Sequence, residues 1–174
     1  MKDLLEACLN GTKGIPPRLI RRTADIDRAE EHLSKAERNG MAMNIMYEKG
    51  FFDWSIVCAY YSMYHATLAS LWVLGLDARS HECAIVAFEA FYVKKMKVSE
   101  KLLVYLDKAK QLSEKYADSI KNVKKMRIEA SYGLGELKSP EASIAMSNAK
   151  EFVTEITAIV HEARGFGYIK IGKK

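Results

Sequence analysis

Apolar residues recur every three or four positions through most of the chain, the spacing of helices that bury one face. Ala29, Leu33, Ala36, Gly40, Met43 and Tyr47 form one such stripe, which predicts a long helix starting near Asp25 and ended by Gly50. Gly40 falls on the stripe and is read as a close helix–helix approach, at a cost of about 1 kcal/mol against alanine. A second helix is expected from Trp54 to about Leu74, with Asp53 as its N-cap and Gly75 just past its end. Ser80 is expected to cap a third, running through Ala84, Val86, Phe88 and Phe91 to Val93. Ser99 caps a fourth and very long one, in which Leu102, Leu106, Ala109, Leu112 and Tyr116 lead to Ile120, Val123, Met126 and Ala130 before Gly133 and Gly135. Ser139-Pro140-Glu141 marks the last helix start, because proline fits the first turn and glutamate suits the positive end of the dipole. Ile144, Ala145, Asn148, Phe152, Ile156, Ile159 and Val160 form its stripe.

Before Asp25, Leu4, Leu5 and Cys8 share one face of a short helix, which Gly11, Gly14, Pro16 and Pro17 interrupt. No alternating run is long enough for a sheet, and Tyr168–Ile171 is the one short candidate strand. The pattern therefore predicts an all-α, up-and-down bundle of four to five helices. Residues 1–24 form an N-terminal extension, 25–163 the bundle and 164–174 a C-terminal tail.

The second helix changes character when charge is considered. From Trp54 to Leu76 there are 23 residues without Asp, Glu, Lys or Arg, long enough to cross a bilayer. Ser55, Ser62, His65, Thr67 and Ser70 lie within it, and Tyr60, Tyr61 and Tyr64 sit at its middle rather than at its ends. Membrane helices carry tyrosine near the interfaces, so a buried central helix of a bundle is the reading adopted.

Composition narrows the class further. The 174 residues have the length of one domain, and 49% apolar with 28% charged residues excludes a disordered chain. Three prolines and ten glycines exclude collagen-like or turn-dense chains. The three cysteines, Cys8, Cys58 and Cys83, form no Cys-x-x-Cys pair, and neither a disulfide framework nor a zinc site follows from them. Cys58 and Cys83 lie in apolar surroundings, which predicts buried reduced thiols and a cytoplasmic location. The N-terminus places acidic residues within its apolar stretch and does not read as a secretory signal.

Catalytic signatures are sparse. The chain has no glycine-rich phosphate loop, His-Glu-x-x-His, Gly-x-Ser-x-Gly or dinucleotide fingerprint. His32, His65, His81 and His161 fall on different predicted helices, and none pairs with a carboxylate at metal-ligand spacing. No metal and no cofactor is expected. Tyr60, Tyr61 and Tyr64 invite a base-stacking platform, but tyrosines three and four apart on a buried helix are better read as core with bonded hydroxyls.

Charge is distributed more tellingly. The chain carries 27 basic and 22 acidic residues, a net +5. Between Lys94 and Arg127 eleven basic residues face four acidic ones, a surplus larger than that of the whole chain. Lys121, Lys124, Lys125 and Arg127 crowd the end of this segment, where they can hold phosphates by sequence-independent attraction.

Gly50-Phe51-Phe52-Asp53-Trp54, leading into Ala59-Tyr60-Tyr61-Ser62-Met63-Tyr64-His65-Ala66, resembles the tyrosine helix of the HEPN family, the higher-eukaryote and prokaryote nucleotide-binding domains. The likeness continues through Gly75-Leu76-Asp77, Ser80-His81 and Phe88–Val93. Arg127-Ile128-Glu129-Ala130-Ser131-Tyr132-Gly133 is similar to the family's Arg-x-x-Ala-Asp-Tyr-Gly segment, and Ala142 to Ile159 to its closing helix. The resemblance covers about residues 25–163 and implies a HEPN-like bundle that dimerises, bringing two copies of an Arg/His motif to a basic cleft.

Many members are metal-independent ribonucleases, often toxins neutralised by a small nucleotidyltransferase antitoxin. Arg127 and Ile128 match the first two motif positions, but Tyr132 stands where histidine is expected. A phenol with an ordinary pKa near 10 is a poor base at pH 7. On a straight helix, five residues also place Arg127 and Tyr132 about 140° apart around the axis. The resemblance thus implies a degenerate catalytic pair, Arg127 and Tyr132, with RNA or nucleotide phosphate held by Arg127, Lys124, Lys125 and Lys121. The alternative is a non-catalytic interaction module that pairs with a nucleotidyltransferase partner of the toxin–antitoxin type.

Overall fold

The computed structural model describes residues 2–94, 99–111 and 139–166. Among them are six α-helices and one two-stranded ribbon: α1 (Lys2–Asn10), β1 (Leu19–Arg21), α2 (Ile26–Glu48), α3 (Phe52–Val73), β2 (Leu76–Ala78), α4 (His81–Phe88), α5 (101–111) and α6 (Ser139–Phe166). The fold is all-α, as the spacing of apolar residues predicts.

The helix α2 starts where expected, with the Asp25 side chain accepting from the Arg28 backbone N–H at 2.9 Å. It buries Ala29, Leu33, Ala36 and Met43. Gly50, at φ +78°, turns the chain into α3. The expected Asp53 cap is not formed: α3 begins two residues earlier, Phe51 takes the cap position without a side-chain bond, and Asp53 lies in the first turn. An acidic side chain suits the dipole there as well.

The helix α3 is the centre of the molecule, packed by α2 and α6. It buries residues on every side, which explains why it carries no charge beyond its first turn. Its small polar residues are compatible with burial because each hydroxyl donates to a backbone carbonyl: Ser55 to Met43 at 3.0 Å, Ser62 to Ala36 at 2.8 Å, Thr67 to Met63 at 2.9 Å and Ser70 to Thr67 at 2.8 Å. The Ser55 and Ser62 bonds cross to α2 in opposite sequence order, so the two helices run antiparallel. Gly40 sits at this contact, but a Cβ there would meet only Ser62 Oγ, at 3.6 Å, an ordinary distance. The approach is therefore not close enough to require glycine. No helix among the described residues is long and apolar enough to cross a membrane.

Ser80 caps α4 as expected, accepting from the Cys83 N–H at 3.2 Å. The helix widens at Glu89–Val93 into a π-helical turn. This turn lets three successive residues, Phe91, Tyr92 and Val93, all face inward. The Tyr92 hydroxyl donates to the Ser70 carbonyl at 2.6 Å, and Phe88 packs on Phe152 of α6 with ring centroids 5.7 Å apart. Ser99 and Glu100 open α5 through backbone bonds to residues 102–104. The remainder of the expected fourth helix, together with the Tyr168–Ile171 strand, lies outside the described residues.

Two further sequence expectations need correction. First, a ribbon does form: β1 and β2 pair antiparallel, Leu19 with Ala78 and Arg21 with Leu76. At three residues each, the strands are too short to show alternation. Second, Cys83 is not a free thiol, because it forms a disulfide with Cys8, 75 residues away. The ribbon brings the end of α1 beside the start of α4, with Cα atoms 5.7 Å apart. Spacing along the chain carries no sign of such a contact. Cys58 is the free cysteine.

Candidate functional site

The residues expected to carry function, Lys121, Lys124, Lys125, Arg127 and Tyr132, lie outside the described residues. Two features of the described part bear on chemistry, and they meet at His32.

The first is a run of rings linking α2, α3 and α4. His32 and His65 face each other with their Nδ1 atoms 3.1 Å apart and rings stacked at 5.4 Å. Only one of the two Nδ1 atoms can carry the shared proton, so the pair is complete when both rings are neutral. Burial, reinforced by His65, Lys35 and Arg28, pushes the His32 pKa down to about 4, and Asp77 opposes this only in part. Burial, with Lys35 and His81, likewise lowers that of His65. Tyr64 lies between His65 and His81, stacked on the latter at 4.1 Å with the rings parallel to within 1°. Burial raises the Tyr64 pKa, so its phenol is un-ionised at neutral pH. Tyr60 closes the run through a hydrogen bond between its hydroxyl and His81 Nδ1. Tyr60 and Tyr64 are buried, and Tyr61, 39% exposed, is the tyrosine of the three that reaches the surface. The cluster thus packs three helices together rather than presenting a flat face for bases. No group of three or more metal-ligating side chains occurs among the described residues.

The second feature is not signalled by any periodicity. A hollow of about 520 Å³ opens beside His32, walled by Arg22, Arg28 and Arg79 and floored by Leu68 and Trp72. Asp77 lies in it, paired with Arg79 Nη2 at 3.4 Å and with Arg22 Nε at 3.7 Å. The backbone behind these side chains is fixed. Arg22 N–H donates to the Gly75 carbonyl at 2.8 Å, Arg79 N–H to the Arg18 carbonyl at 2.8 Å, and Asp25 N–H to the Trp72 carbonyl at 3.2 Å. Gly75 makes the closure achievable: it adopts φ +67°, and a Cβ there would collide with the Arg22 carbonyl oxygen. Arg18, Arg21 and Arg22, three arginines within five residues, are the one sequence signal that could have drawn attention to this face.

A family model for the HEPN domain matches residues 29–159, which span α2 through most of α6. The chain belongs to the HEPN family. No curated protein matches it by sequence. The tyrosine helix that carries the resemblance is the buried centre of this HEPN bundle, and the matched span includes His32, His65 and His81.

Proposed function

We propose that this HEPN-family chain binds RNA, or the phosphate of a nucleotide, through the basic segment that ends at Arg127. Lys121, Lys124 and Lys125 supply attraction, Arg127 clamps phosphate through its planar fork, and Tyr132 orients it by hydrogen bonding. The observation that carries this reading is the placement of charge: eleven basic against four acidic residues from Lys94 to Arg127, in a chain whose net charge is only +5. Such a segment gains affinity by releasing counterions from a phosphate backbone, without reading sequence. Cleavage needs a group that exchanges protons near neutrality, and tyrosine at 132 does not supply one. Binding is therefore the activity, with any metal-independent ribonuclease action residual. Pairing of two chains as a homodimer would set two such segments across one cleft.

The test is RNA binding by wild type and Arg127→Ala across a salt series. Wild type should weaken steeply with salt, and the variant should bind less tightly. The slope of log K against log salt should fall by about 0.7, the share of one neutralised phosphate on a single strand. Equal affinities, or no binding at low salt, overturn the reading. Recovery of a nucleotidyltransferase by co-purification, with no RNA bound, would favour the interaction-module alternative.

A further inference from the structure

We propose that the Cys8–Cys83 disulfide is a redox latch: reduced by a dithiol, it releases α1 from the bundle while α2, α3 and α6 stay folded. The distribution of burial points to the latch. From Asp3 to Arg22 only Cys8 and Leu19 are buried, at 4% and 1% exposed, and Leu19 belongs to the ribbon. Between Asp3 and Asn10, then, the one buried side chain is half of the disulfide itself. Leu5 and Leu9 lie against the core only in part, and Leu4 is 38% exposed. A helix of nine residues is too short to persist in water without support, so the covalent bond is what keeps α1 in place. The strand β1 is tied independently, by its pairing with β2 and by the backbone bonds of Arg22 to Gly75 and of Arg79 to Arg18. The matched HEPN span begins at residue 29, beyond both elements, and the centre of the bundle is built by α2, α3 and α6.

The two sulfurs are not equivalent. Cys83 stands in the first turn of α4, where Ser80 accepts from its backbone N–H and the positive end of the helix dipole favours a thiolate. Cys8 stands in the last turn of α1, where the negative end disfavours one. Attack on the Cys8 sulfur, with Cys83 as the better leaving group, is therefore the favoured direction. A thiolate of the reductant bonds to the Cys8 sulfur, the Cys8–Cys83 bond breaks, and its electron pair leaves on Cys83. The second thiol of the reductant, deprotonated, then displaces Cys8. Two electrons and two protons have passed to the cysteines, and the dithiol has become a disulfide. Both cysteines are covered in the closed form, so exchange proceeds through fraying of α1, whose other described side chains already face solvent at least in part.

Hydrogen exchange read peptide by peptide tests the latch, on the full chain carrying Cys58→Ala so that no third thiol takes part. With the disulfide intact, the amides of α1 should be protected. After dithiothreitol in native buffer they should exchange faster by about tenfold or more, while those of α3 keep their protection. Reoxidation should restore the first pattern. The double variant Cys8→Ala with Cys83→Ala keeps two small apolar side chains but no bond, and its α1 should exchange as in the reduced protein. The proposal is overturned if dithiothreitol leaves the disulfide intact until urea is added, or if α1 is unprotected while the disulfide is whole. Protection of α1 that survives reduction or the double variant would overturn it too, since packing would then hold the helix. Loss of protection in α3 together with α1 would equally sink it, because the bond would then hold the whole bundle rather than one strap.

Discussion

The helix α3 and the β1–β2 ribbon adjoin at Trp72 and Gly75, yet they are held by opposite means. Residues of α3 are buried on all sides, its serine and threonine hydroxyls are satisfied by nearby carbonyls, and past its first turn it has no charge to place. The ribbon is three residues deep, carries arginines on its exposed side, and depends on one glycine, a few backbone bonds and a covalent link through α1. Burial makes the first region tolerant of conditions but intolerant of missing volume. The second should be the reverse, insensitive to side-chain trimming and sensitive to anything that alters its connections.

The largest test of that contrast is the disulfide. Closing a 75-residue loop constrains the unfolded chain by about 4 kcal/mol in the loop-entropy description. Reduction, or Cys8→Ser, should lower stability in urea by that order, and thiol titration of the unreduced, unfolded chain should count one cysteine, Cys58. Three free thiols would break the comparison at its base. Within α3, Ile56 is fully buried, and Ile56→Ala should cost about 3 kcal/mol in the same unfolding measurement, through the smaller apolar surface buried and the cavity left behind. Gly75→Ala should cost about 2 kcal/mol, because a side chain is strained at φ +67° and collides with the Arg22 carbonyl.

The smallest expected effect concerns pH. The folded-state pKa of His32, about 4, lies below its ordinary 6.5, so the unfolded chain binds the proton more readily. Stability is then fully present above pH 6.5 and falls as pH drops toward 4. The ring is partly exposed, which discounts the contribution to about 1 kcal/mol. Melting temperatures measured from about pH 7 to about pH 4.5 should decline, and His32→Gln should flatten that decline. An unchanged slope in the variant would place the acid sensitivity elsewhere.

The same contrast explains what the sequence makes legible. The helices announce themselves because burial of one face repeats every three or four residues, and the caps at Asp25 and Ser80 follow from side chains that bond their own local backbone. Asp53 misleads because a carboxylate stabilises the first turn of a helix almost as well as its cap. The ribbon, the Cys8–Cys83 pair and the arginine hollow join segments more than thirty residues apart, and local spacing carries no trace of them. The ring cluster is half visible. Its tyrosines follow from the helix, but the pairing of His32 with His65 depends on the register between α2 and α3. The RNA-binding reading rests on Lys121 to Tyr132, where composition speaks and the described structure does not.

The π-helical turn at Glu89–Val93 has a consequence for how this chain can change length. It holds one more residue per turn than the helix leading into it, which is the imprint a single-residue insertion leaves in an α-helix. Deleting one residue there would restore regular winding, because the extra residue is taken up within the turn itself. Regular winding has no room for three successive inward-facing residues, so the place of Phe91, Tyr92 or Val93 in the core would be lost. Insertions and deletions that surface loops absorb freely are thus coupled, at this point, to the core of the bundle.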